Sequence, residues 1–194
     1  MKTIKEDVTS ELIINKSKFI TILTNVNNVE EANEKLNYYK NVYKNATHYC
    51  TAYIIDSHIK CSDDKEPSGT AGIPILNVLK NNNLQHILCI VIRYFGGIKL
   101  GTGGLTRAYS NSVSKAILEA TITNLTEGYY LEISFNYNDT KTIDNILKNY
   151  EIKKTYNQDI TYSFKISKEE FNKIEPIIIK NTKIIKKEPI TFTL

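Results

Sequence analysis

The residues with the clearest chemical potential lie in RYFGGIKLGTGGLTR, residues 93–107, which holds five of the eight glycines and both arginines. A strand, a glycine-rich turn and a helix in succession would leave free backbone N–H groups at the helix N-terminus, where an anion is favoured. Arginine can also bind a phosphate or carboxylate through two hydrogen bonds. We therefore predict an anion-binding or RNA-binding site with these members: Arg93, Gly96, Gly97, Lys99, Gly101, Thr102, Gly103, Gly104 and Arg107.

Two standard nucleotide-binding motifs fail in this segment. The spacing from Gly96 to Gly101 suits a P-loop, but Thr102 stands where the motif requires lysine. A dinucleotide fingerprint that starts at Gly101 meets Thr106 in place of its last glycine. Two interpretations remain: an anion-docking surface, and a connection in which the glycines only permit tight or close-packed backbone. The density of glycines favours the docking surface.

A second polar segment, SDDKEPSGTAG at residues 62–72, carries charge of the opposite sign. Its carboxylates could coordinate Mg²⁺ or supply a general base. They could equally pair with Arg93 or Lys99, or cap a helix, and these structural roles are favoured because the segment lacks a nucleophile–base pair. The second half of the predicted site consists of Asp63, Asp64, Glu66, Ser68, Gly69 and Thr70.

His48 and Cys50 are two residues apart in a predicted strand and would share a face. A thiolate–imidazole pair is one interpretation, and a buried polar histidine beside a small core cysteine is the favoured one. The three cysteines have no recognised zinc-ligand spacing. We therefore place His48 near the site and predict no catalytic residue, metal or cofactor.

Composition and charge limit the class of protein. The net charge of +4 divides into 14 basic and 11 acidic residues over 1–126, and 11 and 10 over 127–194. Neither part is a polycation, so any nucleic-acid contact should be local and of moderate affinity. An odd cysteine count without a secretory leader, and the lack of an apolar run of about 20 residues, predict a cytoplasmic protein without membrane contact.

The elements that must position the two segments follow from hydrophobic periodicity. Strands are predicted at 17–24, 47–56 and 86–95, the last as an apolar run covered on both faces. Helices are predicted at 29–43 and 73–80 and from about Gly103 or Gly104 to Ala120. From Glu127 onward the order is β-α-β-β-α-β. The expected fold class is α+β, with domains at 1–124 and 127–194.

Three motifs in this order resemble the YigZ/IMPACT family: ATHYCTAY (46–53), SDDKEPSGTAGIPIL (62–76) and VIRYFGGIKLGTGGLTRAY (91–109). The resemblance implies an N-terminal ribosomal protein S5 domain 2-like domain and a C-terminal ferredoxin-like domain, both similar to domains of elongation factor G. Eukaryotic relatives regulate translation by competing for the activator of a starvation-responsive kinase. For bacterial relatives, nucleic-acid or ribosome binding is the favoured inference.

One position departs from the family pattern. The usual Asp-Asp-Gly-Glu-Pro is here Asp63-Asp64-Lys65-Glu66-Pro67. Lysine adopts positive φ less readily than glycine, so either Lys65 has ordinary dihedral angles or the loop is rearranged.

The residues and the resemblance together predict a non-enzymatic, translation-linked binding protein. Its two polar segments would contact structured RNA, the ribosome or a ribosome-associated protein. A Mg²⁺-dependent enzyme acting on a phosphorylated small molecule is the alternative, and a protein-binding regulator without RNA contact is the second alternative.

Overall fold

The apolar run predicted at 86–95 forms the central strand of the first of two units. The structure is a computed structural model and describes residues 1–193. Its units are Met1–Asn124 and Leu125–Leu194. The elements in chain order are β1 (Lys2–Ile4), β2 (Val8–Ile14), β3 (Ser17–Asn25), α1 (Val29–Val42), β4 (His48–Ile55), β5 (His58–Ser62), α2 (Gly72–Asn81), β6 (Ile87–Tyr94), α3 (Gly101–Glu119), β7 (Ile122–Phe135), α4 (Thr140–Ile146), β8 (Ile152–Tyr156), β9 (Ile160–Ser167), α5 (Lys168–Asn181) and β10 (Lys183–Thr193).

The first unit is an antiparallel sheet of order β2-β3-β6-β4-β5 with helices on both faces. The side chains of β6 alternate between the two faces: Cys89 and Val91 pack in one core with α2 and α3, whereas Ile90 and Ile92 pack in another with α1. A strand buried on both faces reads as a continuous apolar run. This arrangement confirms the prediction for residues 86–95.

The second unit has the predicted β-α-β-β-α-β order, and its sheet runs β10-β7-β9-β8 with all neighbours antiparallel. Helix α5 begins with a capping box formed by Ser167 and Glu170. Ser167 Oγ accepts from the Glu170 backbone N–H at 3.2 Å and donates to the Glu170 carboxylate at 3.0 Å. The mixed helix and sheet content confirms the expected α+β class at this coarse level.

The predicted start of α3 moves. Helix α3 begins at Gly101, not at Gly103 or Gly104. The earlier start follows from Leu100, whose φ of −87° and ψ of −17° are already helical. No helix among residues 1–193 is long and apolar enough to cross a membrane.

Candidate anion-binding site

Asp63 organises the acidic loop, defined as residues 63–71 between β5 and α2. Its Oδ1 accepts from the backbone N–H groups of Ala71 and Gly72 at 3.0 and 2.8 Å, and its Oδ2 accepts from Gly69 at 2.9 Å. Burial raises the pKa of the Asp63 carboxyl, but these three donors outweigh burial and lower its pKa below the ordinary value. Asp63 therefore caps α2 from a distance in sequence.

We expect Asp63→Asn to lower the free energy of unfolding by about 1 kcal/mol at pH 7, the usual value of a helix cap. The amide keeps one acceptor but turns an N–H₂ group toward the Gly69 N–H. Because the folded pKa is lowered, the contribution of Asp63 is present above pH ~4 and disappears as the pH falls through the folded pKa. Urea titrations at several pH values should show the two proteins converging below pH 4. An unchanged difference at low pH would contradict the assignment.

Lys65 has a left-handed backbone at the position where the family pattern has glycine. Its φ is +70°, and that of Asp64 is +41°. Of the two alternatives, ordinary dihedral angles at Lys65 are therefore wrong. Hydrogen bonds hold the preceding residue, Asp64, on both sides: its Oδ2 accepts from the Tyr49 N–H at 2.6 Å and its carbonyl oxygen accepts from His48 Nδ1 at 2.8 Å.

Lys65→Gly is expected to raise the free energy of unfolding by about 1 kcal/mol, since glycine removes the steric cost of positive φ. Thermal unfolding should show a midpoint higher by a few degrees. Lys60→Gly, in strand β5, is the matched control and should lower stability because glycine weakens a strand. A lower midpoint for Lys65→Gly would show that the side chain contributes more than the backbone conformation costs.

Glu66 is the buried centre that joins the acidic loop to β6 and α3. Its side chain is 3% exposed and that of Arg93 is 6% exposed, with Arg93 Nη1 donating to Glu66 Oε1 at 2.6 Å. The Tyr109 hydroxyl donates to the same oxygen at 2.8 Å. The guanidinium also lies 5.5 and 5.6 Å from the ring centroids of Phe19 and Phe95. The predicted pairing of the two segments is thus made by Glu66 and Arg93.

This burial changes the role of Arg93. Its charge is neutralised by Glu66 and its guanidinium lies inside the fold, so it cannot meet a phosphate at the surface. Burial of a paired charge is favourable only with such compensation. Arg93 is an internal counter-ion, and the expectation that it contacts a ligand directly is corrected.

His48 and Cys50 do not form a thiolate–imidazole pair. The Cys50 sulfur lies 3.0 Å from the Asp63 carbonyl oxygen and 3.3 Å from the Tyr109 hydroxyl. Burial raises the pKa of the Cys50 thiol to about 12, so it remains protonated. His48 Nδ1 faces the Asp64 carbonyl and Nε2 lies 3.7 Å from Glu66. His48 therefore lies beside the buried pair, near the predicted site.

Most glycines of the glycine loop, defined as residues 96–104, have a structural explanation. A Cβ on Gly96 would lie under 3.0 Å from the backbone of Lys16 and Ser17. Gly97 and Gly101 have φ of +84° and +68°. A Cβ on Gly104 would lie 3.1 Å from Leu100 Cβ, a tight contact. The close-packing interpretation thus accounts for these four positions.

Gly103 is different. It lies in the first turn of α3 without positive φ, and the nearest atom to an added Cβ would be Arg107 Nη1 at 3.8 Å, an ordinary contact. Helices favour alanine over glycine. The fold therefore does not explain the glycine at 103, and an open backbone remains there beside the Arg107 guanidinium.

The exposed charge around the loops is basic. Lys99 and Arg107 are exposed, as are Lys16 in the β2–β3 turn and Lys65 in the acidic loop. Among residues 1–193 none of these four cations has a salt-bridge partner within 4.0 Å. Helix α3 also begins without a side-chain cap. Sequence reasoning missed Lys16, although the Asn15-Lys16 pair between two β-rich runs signals a hairpin turn.

The hydroxyl residues of the predicted site take separate positions. Thr70 is buried and its Oγ1 donates to the Pro67 carbonyl at 2.6 Å, which closes the acidic loop. Ser68 is exposed at the loop surface, and Thr102 is exposed in the first turn of α3. Gly69, which lies between Ser68 and Thr70 in sequence, has a φ of +75°. Thr70 is therefore structural, while Ser68 and Thr102 are available at the surface.

The chain is similar to several known proteins. The Impact N-terminal domain model matches residues 15–117. The IMPACT family member YvyE of Bacillus subtilis is 51% identical over 118 residues, which is 59% of this chain and only 54% of that protein. An IMPACT family member of Haemophilus influenzae is 36% identical over 76% of this chain and 74% of its own length.

A crystal structure of a hypothetical protein aligns over nearly the whole chain. It covers 96% of this chain and 97% of its own, with a TM-score of 0.66 and 29% identity. The residues of this chain that the family model matches include both the acidic loop and the glycine loop. The resemblance inferred from the three motifs is confirmed, and the chain belongs to the IMPACT family.

Proposed function

We propose that this protein is a translation-linked binding protein that contacts structured RNA, such as that of the ribosome, through the glycine loop and the adjacent acidic loop. The observation that carries the proposal is the pair of exposed cations, Lys99 and Arg107, at the uncapped start of α3. Membership of the IMPACT family supports the link to translation.

Phosphate groups fit this surface for two reasons. The first-turn amides of α3 have no intrahelical acceptors, and an anion at a helix N-terminus is favoured. Gly103 leaves that backbone open next to Arg107, whose side chain can hold a phosphate through two hydrogen bonds. A-form RNA is recognised largely through its phosphates, hydroxyls and shape. Lys16 and Lys65 extend the positive surface beyond the residues predicted from sequence.

The carboxylates of the acidic loop have a structural role in this proposal. Asp63 and Asp64 accept backbone N–H groups, and Glu66 holds Arg93 and Tyr109. A Mg²⁺ ion on these carboxylates would have to replace those bonds. The geometry therefore favours a binding role over the alternative of a Mg²⁺-dependent enzyme.

The finer fold assignments belong to the same proposal. We assign the predicted domain 1–124 to the ribosomal protein S5 domain 2-like class and 127–194 to the ferredoxin-like class. The strand order β10-β7-β9-β8 supports the second assignment. We also propose a cytoplasmic location and a translation-associated partner.

The test is recovery of tagged protein from lysate with and without RNase, comparing wild type with the Lys99→Ala/Arg107→Ala variant. Arg93 is left intact because its loss would disturb the core. Lys5→Ala/Lys60→Ala removes two exposed lysines outside the loops and is the matched control.

We expect ribosomal RNA with the wild type and the control, and at least a tenfold loss with the loop variant, as for two phosphate contacts of about 1 kcal/mol each. RNA recovered equally by both variants would overturn the loop assignment. Partners that survive RNase and still require Lys99 and Arg107 would instead establish the protein-binding regulator.

A further inference from the structure

The sheet of the second unit is covered by helices on one face only. Leu131 and Ile133 of β7 and Phe164 of β9 are buried with Ile143 of α4 and Phe171 of α5. Side chains alternate along a strand, so their neighbours point to the opposite face. Apart from Gly128 and Ser167 at one end, no residue of that opposite face is buried among residues 125–193. We call it the open sheet face.

The open sheet face combines aromatic and basic side chains. The strand registers pair Tyr130 with Lys165 and with Glu188, and Ser163 with both Glu132 and Lys153. The charged and aromatic members are Tyr130, Glu132, Lys153, Lys165, Lys183, Lys186, Glu188 and Phe192.

The positive charge of the second unit is concentrated there. The unit as a whole has 11 lysines and 10 acidic residues. Its open sheet face has four lysines and two glutamates, and one of these glutamates, Glu188, is already paired with Lys186 at 3.0 Å. A polyanion is therefore favoured on this face over the helical side of the unit.

A groove of about 540 Å³ crosses this face. Its lining includes Phe192 of β10, Tyr130 of β7, Lys165 of β9 and Lys153 of β8, with Tyr150 at its edge. Tyr130 lies opposite Glu188 and Phe192 lies opposite Thr126, and an added Cβ on Gly128 would lie 2.7 Å from Phe192 Cε1. The Phe192 ring therefore lies toward Tyr130, and the groove presents two aromatic rings with Lys153, Lys165 and Glu151 in its lining.

We propose that the open sheet face binds a short single-stranded oligonucleotide, with bases stacked on Tyr130 and Phe192 and phosphates held by Lys153 and Lys165. Four-stranded sheets that bind single strands use aromatic side chains on the open face in this way. Lys186 Nζ lies 5.6 Å from the Tyr130 ring centroid. A stacked base takes its place over the ring, and the ammonium moves to a phosphate.

The test is fluorescence anisotropy of a short labelled oligouridylate and the matching oligothymidylate with the full chain. Tyr130→Ser should weaken binding about tenfold or more, since stacking on one base contributes ~1–3 kcal/mol. Tyr130→Phe keeps the ring and should bind within about twofold of wild type. Tyr156→Ser is the matched control, because it removes an exposed ring that is paired with Ile160 and so belongs to the other face of the sheet. Lys165→Glu, on the open sheet face, and Lys148→Glu, outside it, form a second pair of test and control, because both change the net charge by the same amount.

Binding of both oligonucleotides, or of RNA alone, with selective loss in Tyr130→Ser and Lys165→Glu, would support the proposal. No saturable change with either oligonucleotide, or equal losses in the controls, would overturn it. Lys5→Ala/Lys60→Ala, outside both surfaces, should retain this binding. Loss in Lys99→Ala/Arg107→Ala but not in Tyr130→Ser would refute the open sheet face while leaving the proposed role of the loops intact.

Discussion

Glu66→Gln is expected to lower the free energy of unfolding of the first unit by about 3 kcal/mol, because breaking a buried ion pair leaves the other charge uncompensated. The neutral amide keeps an acceptor for Arg93 Nη1 and Tyr109, so shape is preserved while charge is lost. The loss affects Arg93 strongly because its Nε is buried and has no hydrogen-bond partner among residues 1–193. Urea denaturation, with amide hydrogen exchange at Val91 as a reporter for the first unit, measures the change.

The matched control is Glu11→Gln. The Lys18–Glu11 pair has the same 2.6 Å separation as Arg93–Glu66, but its side chains are 42% and 46% exposed. Exposed pairs contribute at most about 1 kcal/mol, so the control should change stability by less than that. Equal effects of the two substitutions would mean that burial does not govern the Arg93–Glu66 pair.

Gly96→Ala is expected to destabilise the first unit by 3 kcal/mol or more, on the order of the largest single-site effects. The new Cβ would meet backbone atoms of Lys16 and Ser17, which cannot rotate away as a side chain can. The turn and the start of β3 must shift, and the Gly96 N–H would lose its bond to Ser17 Oγ at 3.2 Å. Thermal and urea unfolding both test this.

Gly103→Ala, seven residues along the same loop, should have the opposite sign. Its Cβ meets no crowded atom, and alanine favours helix by up to ~1 kcal/mol. A more stable Gly103→Ala protein with weakened RNA recovery would show that this glycine serves a ligand. If Gly96→Ala were as stable as wild type, the close approach of the β2–β3 turn would be refuted.

Periodicity alone was enough to predict the elements that bury a face. Strands β3, β4 and β6 and helices α1 and α2 lie within one residue of the predicted bounds. Their apolar positions repeat with strand or helix spacing because each packs against a core. The capping box at Ser167 was equally readable, since its two side chains are three residues apart.

Short or exposed elements gave no such signal. Strand β5 is largely exposed at the edge of its sheet, and β1 has three residues. Strand β2 alternates weakly, with charged Glu11 in the middle. These strands exist because a neighbour offers hydrogen bonds, which a sequence pattern does not display.

The pairing of the two loops was predictable from sequence, but the role of each residue was not. The opposite charges of the two loops predicted that they would pair. The burial of Arg93, however, depends on Glu66, which is 27 residues away. Propensity also failed at Lys65, where bonds from Asp64 to β4 impose a left-handed backbone on lysine. Such tertiary constraints override local preference.

The cluster around Glu66 joins segments that are far apart along the chain, and this affects when it can form. Glu66 is 43 residues from Tyr109, and Ser17 is 79 residues from its partner Gly96. Contacts between such distant residues slow folding, because closing the long loop between them costs entropy before the contact can form. During synthesis the site cannot assemble until α3 has left the exit tunnel, so a nascent chain that ends before Tyr109 has the loops but not the surface they build.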